Sequence, residues 1–389
     1  MDLGDAANMD FSWTEEQLAY QKAVIEFARK ELNADRIEND HAGVFPRDKW
    51  MKCARFGIQG LPFPEEYGGA DADIMTTMLT MEGLGYGCQD NGLIFAINAQ
   101  MWSVMMPIFS FGSEAQKRKY LPGMCNGSLI GAHGMTEPDS GSDAYSLRMT
   151  AARRDGGYIL NGSKMFVTNA PVADLAVVFA TVDPNKKMWG ITAFVVEKGT
   201  PGFTVSRELE KMGLRTSPMG ELVFQDCFVP EENRIGPEGA GARIFNDSME
   251  WERSCILASH IGAMERQLEY AIQYARERSQ FGQPIGKFQS VANRIVDMKV
   301  RLETARLLLY KVAWLKKMGK TAVMEAAIAK LYLSESFVQS SLDAIRTLGS
   351  YGYMTEFEVE RDLRDAIGGT LYSGTSDIQR NIIARMLGL

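Results

Sequence analysis

The chain has 389 residues, of which 46% are hydrophobic and 23% charged, with a formal net charge of −7. That length predicts two or three domains, and the ordinary balance of residue types excludes wholesale disorder. An acidic chain without a basic face excludes a nucleic-acid footprint; five scattered cysteines with no CxxC pair and three separated histidines argue against a disulfide framework or metal site and for a cytoplasmic protein.

The first thirteen residues hold neither a basic nor an apolar stretch, so no leader peptide is expected, and Met9 is a second candidate start. Thr14 and Gln17 form a capping box for a helix with apolar positions Leu18, Ile25, Ala28 and Leu32. Residues 61–73, dense in Pro and Gly, break the helices. Helical spacing resumes near Ile74 and ends near Lys119, with Pro122 and Gly123 as the stop. Residues 93–112 carry no charged side chain, but Asn98, Gln100, Pro107 and the charged run that follows fit a buried helix of a soluble protein better than a membrane span.

The period then changes. Residues 158–160, 165–168, 175–182, 191–196 and 221–228 are short Val-, Ile-, Phe- and Thr-rich runs separated by turn residues, which predicts a small antiparallel β-domain. Residues 233–243 read as the linker out of it, and their GPEGAG is a turn, since it lacks the GxGxxG order of a dinucleotide loop. From about Ile244 the chain is helical to Met386, with 23 methionines as adaptable core filling. The expected fold is α+β, mainly α: a helical domain over 1–125, a β-domain over 126–238 and a second helical domain over 239–389.

Residues 134–146, GMTEPDSGSDAYS, pack hydroxyls, acids and glycines where the β-domain begins. By composition this is a loop, and such a loop can also turn backbone N–H groups and the Thr136 and Ser142 hydroxyls toward an anionic or carbonyl-rich ligand. GMTEPDSGSD matches the first signature of the acyl-CoA dehydrogenase family, GSYGYMTEFEVERDLRD (349–365) holds the second, and LYSGTSDIQRNIIAR (371–385) looks like its C-terminal segment. LPFPEEYGG, SKMFVTNAP, KMGLRTSPMGELVFQDCFVP and RSQFGQPI also look familial, and the resemblance runs from about residue 11 to the C-terminus.

This resemblance implies a helical domain, a middle β-domain, a C-terminal four-helix-bundle domain, and FAD held between subunits of a homotetramer or dimer. It implies that Met135, Thr136, Gly141 and Ser142 contact the flavin and pyrophosphate, and that Phe166 and Thr168 cover the flavin, with Phe where Trp is frequent. Arg278, Phe281 and Gln289 are implied at the pyrophosphate and adenosine of a neighbouring subunit's FAD, where an arginine fork suits phosphate oxygens. Arg346, Gly349, Ser350, Thr375 and Asp377 belong to the same cofactor site by resemblance, although Arg346, Ser350 and Asp377 depart from the family's usual residues. Ser142 and Arg253 are the implied substrate contacts.

Family chemistry removes the α-proton of a thioester with a carboxylate while hydride leaves the β-carbon for the flavin. Most members hold that carboxylate in a Tyr-Glu-Gly-Thr run; here the run is Tyr372-Ser373-Gly374-Thr375, and a lone serine is too weak a base. A minority, the isovaleryl- and long-chain-type enzymes, keep the base on the first long helix after the β-domain, where SMEWER (248–253) puts Glu252 just before Arg253. Ser248, Cys255 and Ser259 lie at i−4, i+3 and i+7 from Glu252, a face of small residues suited to a pocket wall. Glu250, about 200° around the helix, is the weaker candidate. The bland reading of Glu252 is an ion pair with a nearby arginine.

MEWERS, AMERQLE, YSGTSDIQ and the ending IIARMLGL together resemble one subgroup, the L-prolyl-carrier-protein dehydrogenases of pyrrole and related alkaloid pathways. That implies proline held as a thioester on the phosphopantetheine arm of a peptidyl carrier protein, oxidised to a pyrroline or to pyrrole-2-carboxyl. A short- or branched-chain acyl-CoA dehydrogenase and a catalytically silent FAD-binding docking protein are the alternatives. Oxygen and an electron-transfer flavoprotein both stand as the electron acceptor.

Overall fold

The computed structural model describes Asp10 and residues 12–389; Met9, the second candidate start, and most of the first thirteen residues lie outside the described residues. The first helical block comprises α1 (Glu15–Glu31), α2 (Arg36–Ala42), α3 (Arg47–Phe56), α4 (Ile74–Gly87), α5 (Asn91–Ala99), α6 (Met106–Phe111) and α7 (Glu114–Cys125). The capping box of α1 forms as expected: Thr14 Oγ1 accepts from the Gln17 amide at 3.2 Å, and Gln17 Oε1 from the Thr14 amide at 3.0 Å. Its buried stripe is Val24, Ala28 and Leu32, whereas Leu18 in the first turn is exposed. Helix α7 runs through Pro122 instead of stopping there, and ends where the Asn126 amide bonds Pro122 O at 3.1 Å.

Between α5 and α6 the chain widens into a π turn, Gln100–Met105, closed by the Met106 amide on Met101 O. Pro107 supplies the reason. In a regular helix it would have to donate to the carbonyl of Ser103, but it has no N–H and its ring presses on that group. The whole run Asn91–Phe111 is long and apolar enough to cross a membrane, yet 89% of its most apolar stretch is buried in the protein.

The middle sheet has strands β1 (Gly131–Gly134), β2 (Thr150–Arg154), β3 (Gly157–Thr168), β4 (Leu175–Thr181), β5 (Ile191–Glu197), β6 (Phe203–Glu208), β7 (Met219–Pro230) and β8 (Arg234–Ile235). They are ordered β6-β7-β3-β2-β4-β5-β8, with β1 beside β4. Three expectations are corrected. Residues 158–160 and 165–168 belong to one strand, β3, whose register shifts after Leu160 and after Lys164. The sheet is not wholly antiparallel, because β1 runs parallel to β4 and β2 meets β4 in parallel at one pair. The expected linker 233–243 contains β8, which pairs with β5, and the first turn of the next helix.

Strand β4 shows how the sheet joins the helices. Leu175, Val177 and Phe179 enter the core shared with the helices, while Ala176, Val178 and Ala180 enter the sheet's own core with Phe194 and Phe224. The C-terminal block has α8 (Gly241–Cys255), α9 (Ala258–Glu277), a hairpin of β9 (Ser279–Gln280) and β10 (Gln283–Pro284), α10 (Gln289–Lys317), α11 (Val323–Leu348), α12 (Ser350–Tyr353), α13 (Val359–Gly369) and α14 (Ser376–Met386). The helical blocks touch backbone to backbone where α4 crosses α9: a Cβ at Gly85 would stand 1.9 Å from Ser259 O, and one at Gly262 2.0 Å from Glu82 O. All five cysteines are buried free thiols.

Candidate active site

Glu252 sits in the last turns of α8, and two distant parts of the chain reach its carboxylate. Ser103 Oγ, from the π turn, donates to Glu252 Oε2 at 2.5 Å. Ser373 Oγ, from the loop before α14, donates to Glu252 Oε1. Burial raises the Glu252 carboxyl above its ordinary value, while the two serine bonds and the positive charges of Arg253 and Lys330 pull the other way. The bland reading, a simple ion pair with an arginine, is not what the geometry shows: both carboxylate oxygens bond to hydroxyls.

The small-residue face is only partly continuous. The chain breaks at Ile256–Leu257 between α8 and α9, so Ser259 belongs to the next helix. Ser248 and Ser259 bond carbonyls one turn back, Phe245 O at 2.9 Å and Ile256 O at 3.4 Å. Glu250, the weaker candidate, is occupied elsewhere. Its Oε1 accepts from Lys316 Nζ at 2.9 Å and from the Ala322 amide at 3.1 Å, which pins α8 to the start of α11. The same ammonium lies 3.9 Å from the Trp251 ring centroid.

Arg253 points to the loop that supplies Ser373, its Nε donating to Ser373 O at 3.3 Å. Behind it, Lys330 on α11 is fully buried, and its Nζ has no hydrogen-bond partner among the described residues. Burial and the Arg253 charge push that ammonium down to about 8, with Glu335 and Glu252 acting against them. Tyr372 packs on Phe95 with ring centroids 4.6 Å apart, and its hydroxyl meets His260 Nε2 at 3.3 Å. Along α8, Phe245, Met249 and Glu252 share one face. At the outer end of that face Tyr145 Oη donates to Asn246 Oδ1 at 2.5 Å, bridging the 134–146 loop to the helix.

The residues expected at the flavin lie where the stretch after β1 meets β3, the Met165 amide donating to Thr136 O at 2.8 Å. Met135 is buried and Thr136 half-buried just past β1, and Met135 O accepts from Lys164 Nζ at 3.1 Å. Lys164 and Glu137 form a buried ion pair at 2.8 Å, and Glu137 also accepts from the Arg148 and Met149 amides at 2.7 and 3.1 Å. That pair fixes both the 134–146 loop and β3. Phe166, in the bulge of β3 with φ +57°, is 62% exposed, and Thr168 is half-buried. Gly141 and Ser142 are exposed, and nothing lies within 4 Å of where a Gly141 Cβ would be. An exposed aromatic face beside an open, glycine-bearing loop fits a flavin.

The residues expected at the adenine end are not gathered into a closed site. Arg278 and Gln289 are exposed, and Phe281, at the tip of the β9–β10 hairpin with φ +52°, is 94% exposed. Arg346, Gly349 and Ser350 are exposed around the end of α11, with Arg346 3.8 Å from Asp343. Thr375 caps α14 by accepting from the Ile378 amide at 3.2 Å, and Asp377 pairs with Arg380 at 3.1 Å on the surface. Sequence reasoning missed Ser103, Lys330 and the Tyr145–Asn246 bridge. Pro107 was the one available signal that the helix carrying Ser103 is distorted.

Three domain descriptions of one family match the chain in order: acyl-CoA dehydrogenase N-terminal domain over residues 14–128, middle domain over 132–227 and C-terminal domain over 239–388. An L-prolyl-[peptidyl-carrier protein] dehydrogenase of Serratia sp. (strain ATCC 39006) is 43% identical over 381 residues, covering 98% of this chain and 99% of the relative. The crystal structure of the prolyl acyl carrier protein oxidase AnaB is 53% identical, with a TM-score of 0.96 over 97% of this chain and 100% of that one. The structure described as PigA with FAD and proline is 42% identical, with a TM-score of 0.96 over 98% of this chain and 100% of that one. Matched through all three domains and along nearly its whole length, the chain belongs to the acyl-CoA dehydrogenase family.

Proposed function

We propose that the chain is an FAD-dependent dehydrogenase of L-prolyl groups held as thioesters on the phosphopantetheine arm of a peptidyl carrier protein, with Glu252 as general base. The observation that carries this reading is the setting of that carboxylate. It is desolvated enough to bind a proton more tightly than a surface glutamate, and both its oxygens are oriented by hydroxyls. Glu250 is tied to Lys316 and the Ala322 amide, which leaves Glu252 as the base on this helix. The prolyl group and the carrier protein are read from the similarity to the Serratia enzyme and to AnaB.

In this reading the Cα proton passes to a Glu252 oxygen, and the C–H bonding pair becomes the new double bond as hydride leaves the neighbouring carbon. FAD, when bound, supplies the hydride acceptor. Met135, Thr136, Gly141, Ser142, Phe166 and Thr168 hold the flavin end, and Arg253 and Ser142 face the thioester. A second copy of the chain brings Arg278, Phe281, Gln289, Arg346, Gly349 and Ser350 to the adenine end, an assignment supported by the exposure of Phe281 and its neighbours.

Anaerobic mixing of the FAD-loaded protein with prolyl-carrier protein tests the reading. The flavin absorbance should bleach with that substrate and not with isovaleryl-CoA. Bleaching only with the CoA thioester would make the chain an acyl-CoA dehydrogenase with a relocated base. No bleaching with any thioester would make it a silent FAD-binding protein.

A further inference from the structure

Two serines that are far apart in the chain end on the two oxygens of one carboxylate, and each reaches it from an irregular backbone. Ser103 lies in the π turn and Ser373 has φ +54°, a left-handed conformation that is strained for a non-glycine residue. The Ser373 turn is held from both sides. Arg253 Nε and Gln379 Nε2 donate to Ser373 O at 3.3 and 3.1 Å, and Gln379 Nε2 also bonds Gly374 O at 2.9 Å. Other buried hydroxyls on the same helix as Glu252 are spent on its backbone: Ser254 donates to Glu250 O at 2.9 Å, and Ser248 to Phe245 O at 2.9 Å. Ser103 and Ser373 are instead aimed at Glu252.

We propose that Ser103 and Ser373 are positioning residues that clamp the Glu252 carboxylate in the orientation that meets the substrate Cα and stabilise its charged form between turnovers. The proposal rests on the reading of Glu252 as base and assigns a role to the serine that stands where most of the family holds its carboxylate. An ionised carboxylate can only accept, so both hydroxyls donate to it in the resting site. When a proton arrives on one oxygen, that oxygen gains an O–H to donate, and the serine beside it can turn to accept it. Ser103 is buried within a helical turn, whereas Ser373 is half-buried on a loop. The geometry therefore makes Ser103 the fixed anchor and Ser373 the hydroxyl that turns, with Oε1 as the oxygen that takes the proton.

The other groups acting on Glu252 are Arg253 on α8, Lys330 on α11 and Tyr372 beside Ser373, whose hydroxyl meets His260 on α9; the π turn brings no charge. Serine variants leave all of these in place. Losing a donor to the charged form makes the carboxylate bind its proton more tightly, so the acid limb of the rate profile must move to higher pH.

The test is anaerobic flavin reduction by prolyl-carrier protein, followed as a function of pH in the FAD-loaded enzyme. The set is Ser103→Ala, Ser103→Thr, Ser373→Ala, Ser373→Gly and, as reference, Glu252→Gln. Each variant that loses a hydroxyl should shift the acid-limb midpoint upward by about one pH unit, the scale of a charge-assisted hydrogen bond. Ser103→Thr, which keeps the hydroxyl, should return the midpoint to its original place. Ser373→Gly separates function from folding, because glycine tolerates the left-handed turn and should hold or raise the thermal midpoint while still shifting the profile. Unshifted profiles in Ser103→Ala and Ser373→Gly, with Glu252→Gln inactive, would overturn the clamp and leave the base in place. Normal flavin reduction by Glu252→Gln would overturn the base reading itself.

Discussion

Glu252 is enclosed by its own chain, with a serine from the π turn, a serine from the C-terminal loop, an arginine beside it and a buried lysine behind it. The residues expected at the adenine end stand in the open, on a hairpin with a 94% exposed phenylalanine at its tip and around the exposed end of α11. The contrast separates two kinds of information. With Glu252 as the proposed base, the geometry of proton transfer is specified within one copy, where every partner can be packed in place. The grip on the cofactor's far end is presented outward and, in the reading above, is completed by a second copy.

Substitutions can break or sharpen that contrast. The largest effect belongs to Glu252→Gln: flavin reduction should fall by about 10²–10⁴-fold, the usual worth of a general base, while yellow FAD-bound protein is retained. Stopped-flow absorbance and the flavin-to-protein ratio measure the two halves of that statement.

Next is Lys330→Met, which removes from the enclosed end an ammonium with no hydrogen-bond partner among the described residues. The folded protein binds the Lys330 proton less tightly than the unfolded chain, about 8 against 10.5. Below about 8 the buried charge therefore costs the most, and the cost fades as pH rises toward 10.5. The variant should be more stable by up to about 3 kcal/mol near neutral pH, with the gap closing in alkaline denaturant titrations. It should also lose activity on the acid side, because Glu252 loses a charge that favours its ionised form.

At the open end, Arg278→Ala should weaken FAD binding by tenfold or more, on the order of one charge-assisted contact of about 1.5–3 kcal/mol. The reduction rate at saturating FAD should stay unchanged, as titration calorimetry and stopped flow together would report. A parallel loss of rate would mean that the two ends are not separable. The smallest effect belongs to Glu250→Gln, which should cost about 1–3 kcal/mol of stability by weakening the tie to Lys316 and Ala322, with flavin reduction intact.

The two ends also differ in how far they could be read from the residues alone. Glu252 could be singled out because the family's usual carboxylate is replaced by Ser373, and the structure adds that its carboxylate is bonded by two serines. Ser103 was not legible. It lies 149 positions from Glu252 in an apolar run that any buried helix would satisfy, and Pro107 marks a distortion without saying which side chain it turns inward. The long Val-rich strands were visible, but β1, GAHG, and β2, TAARR, are built from poor strand formers and exist through their pairing with β4 and β3. Pro122 misled because a proline near a helix end removes only one bond, and α7 tolerates that loss in its last turn.

The π turn also sets how the cleft responds to a change in chain length. Removing one residue between Ala99 and Ser103 would shorten the wide turn there, while Pro107 would still press on the carbonyl four positions before it. It would also carry the Ser103 position about 100° around the axis, away from Glu252. With Ser103 acting as proposed, a single-codon deletion there would yield a worse enzyme, so the spacing of this segment matters to the site even where its individual apolar residues are interchangeable.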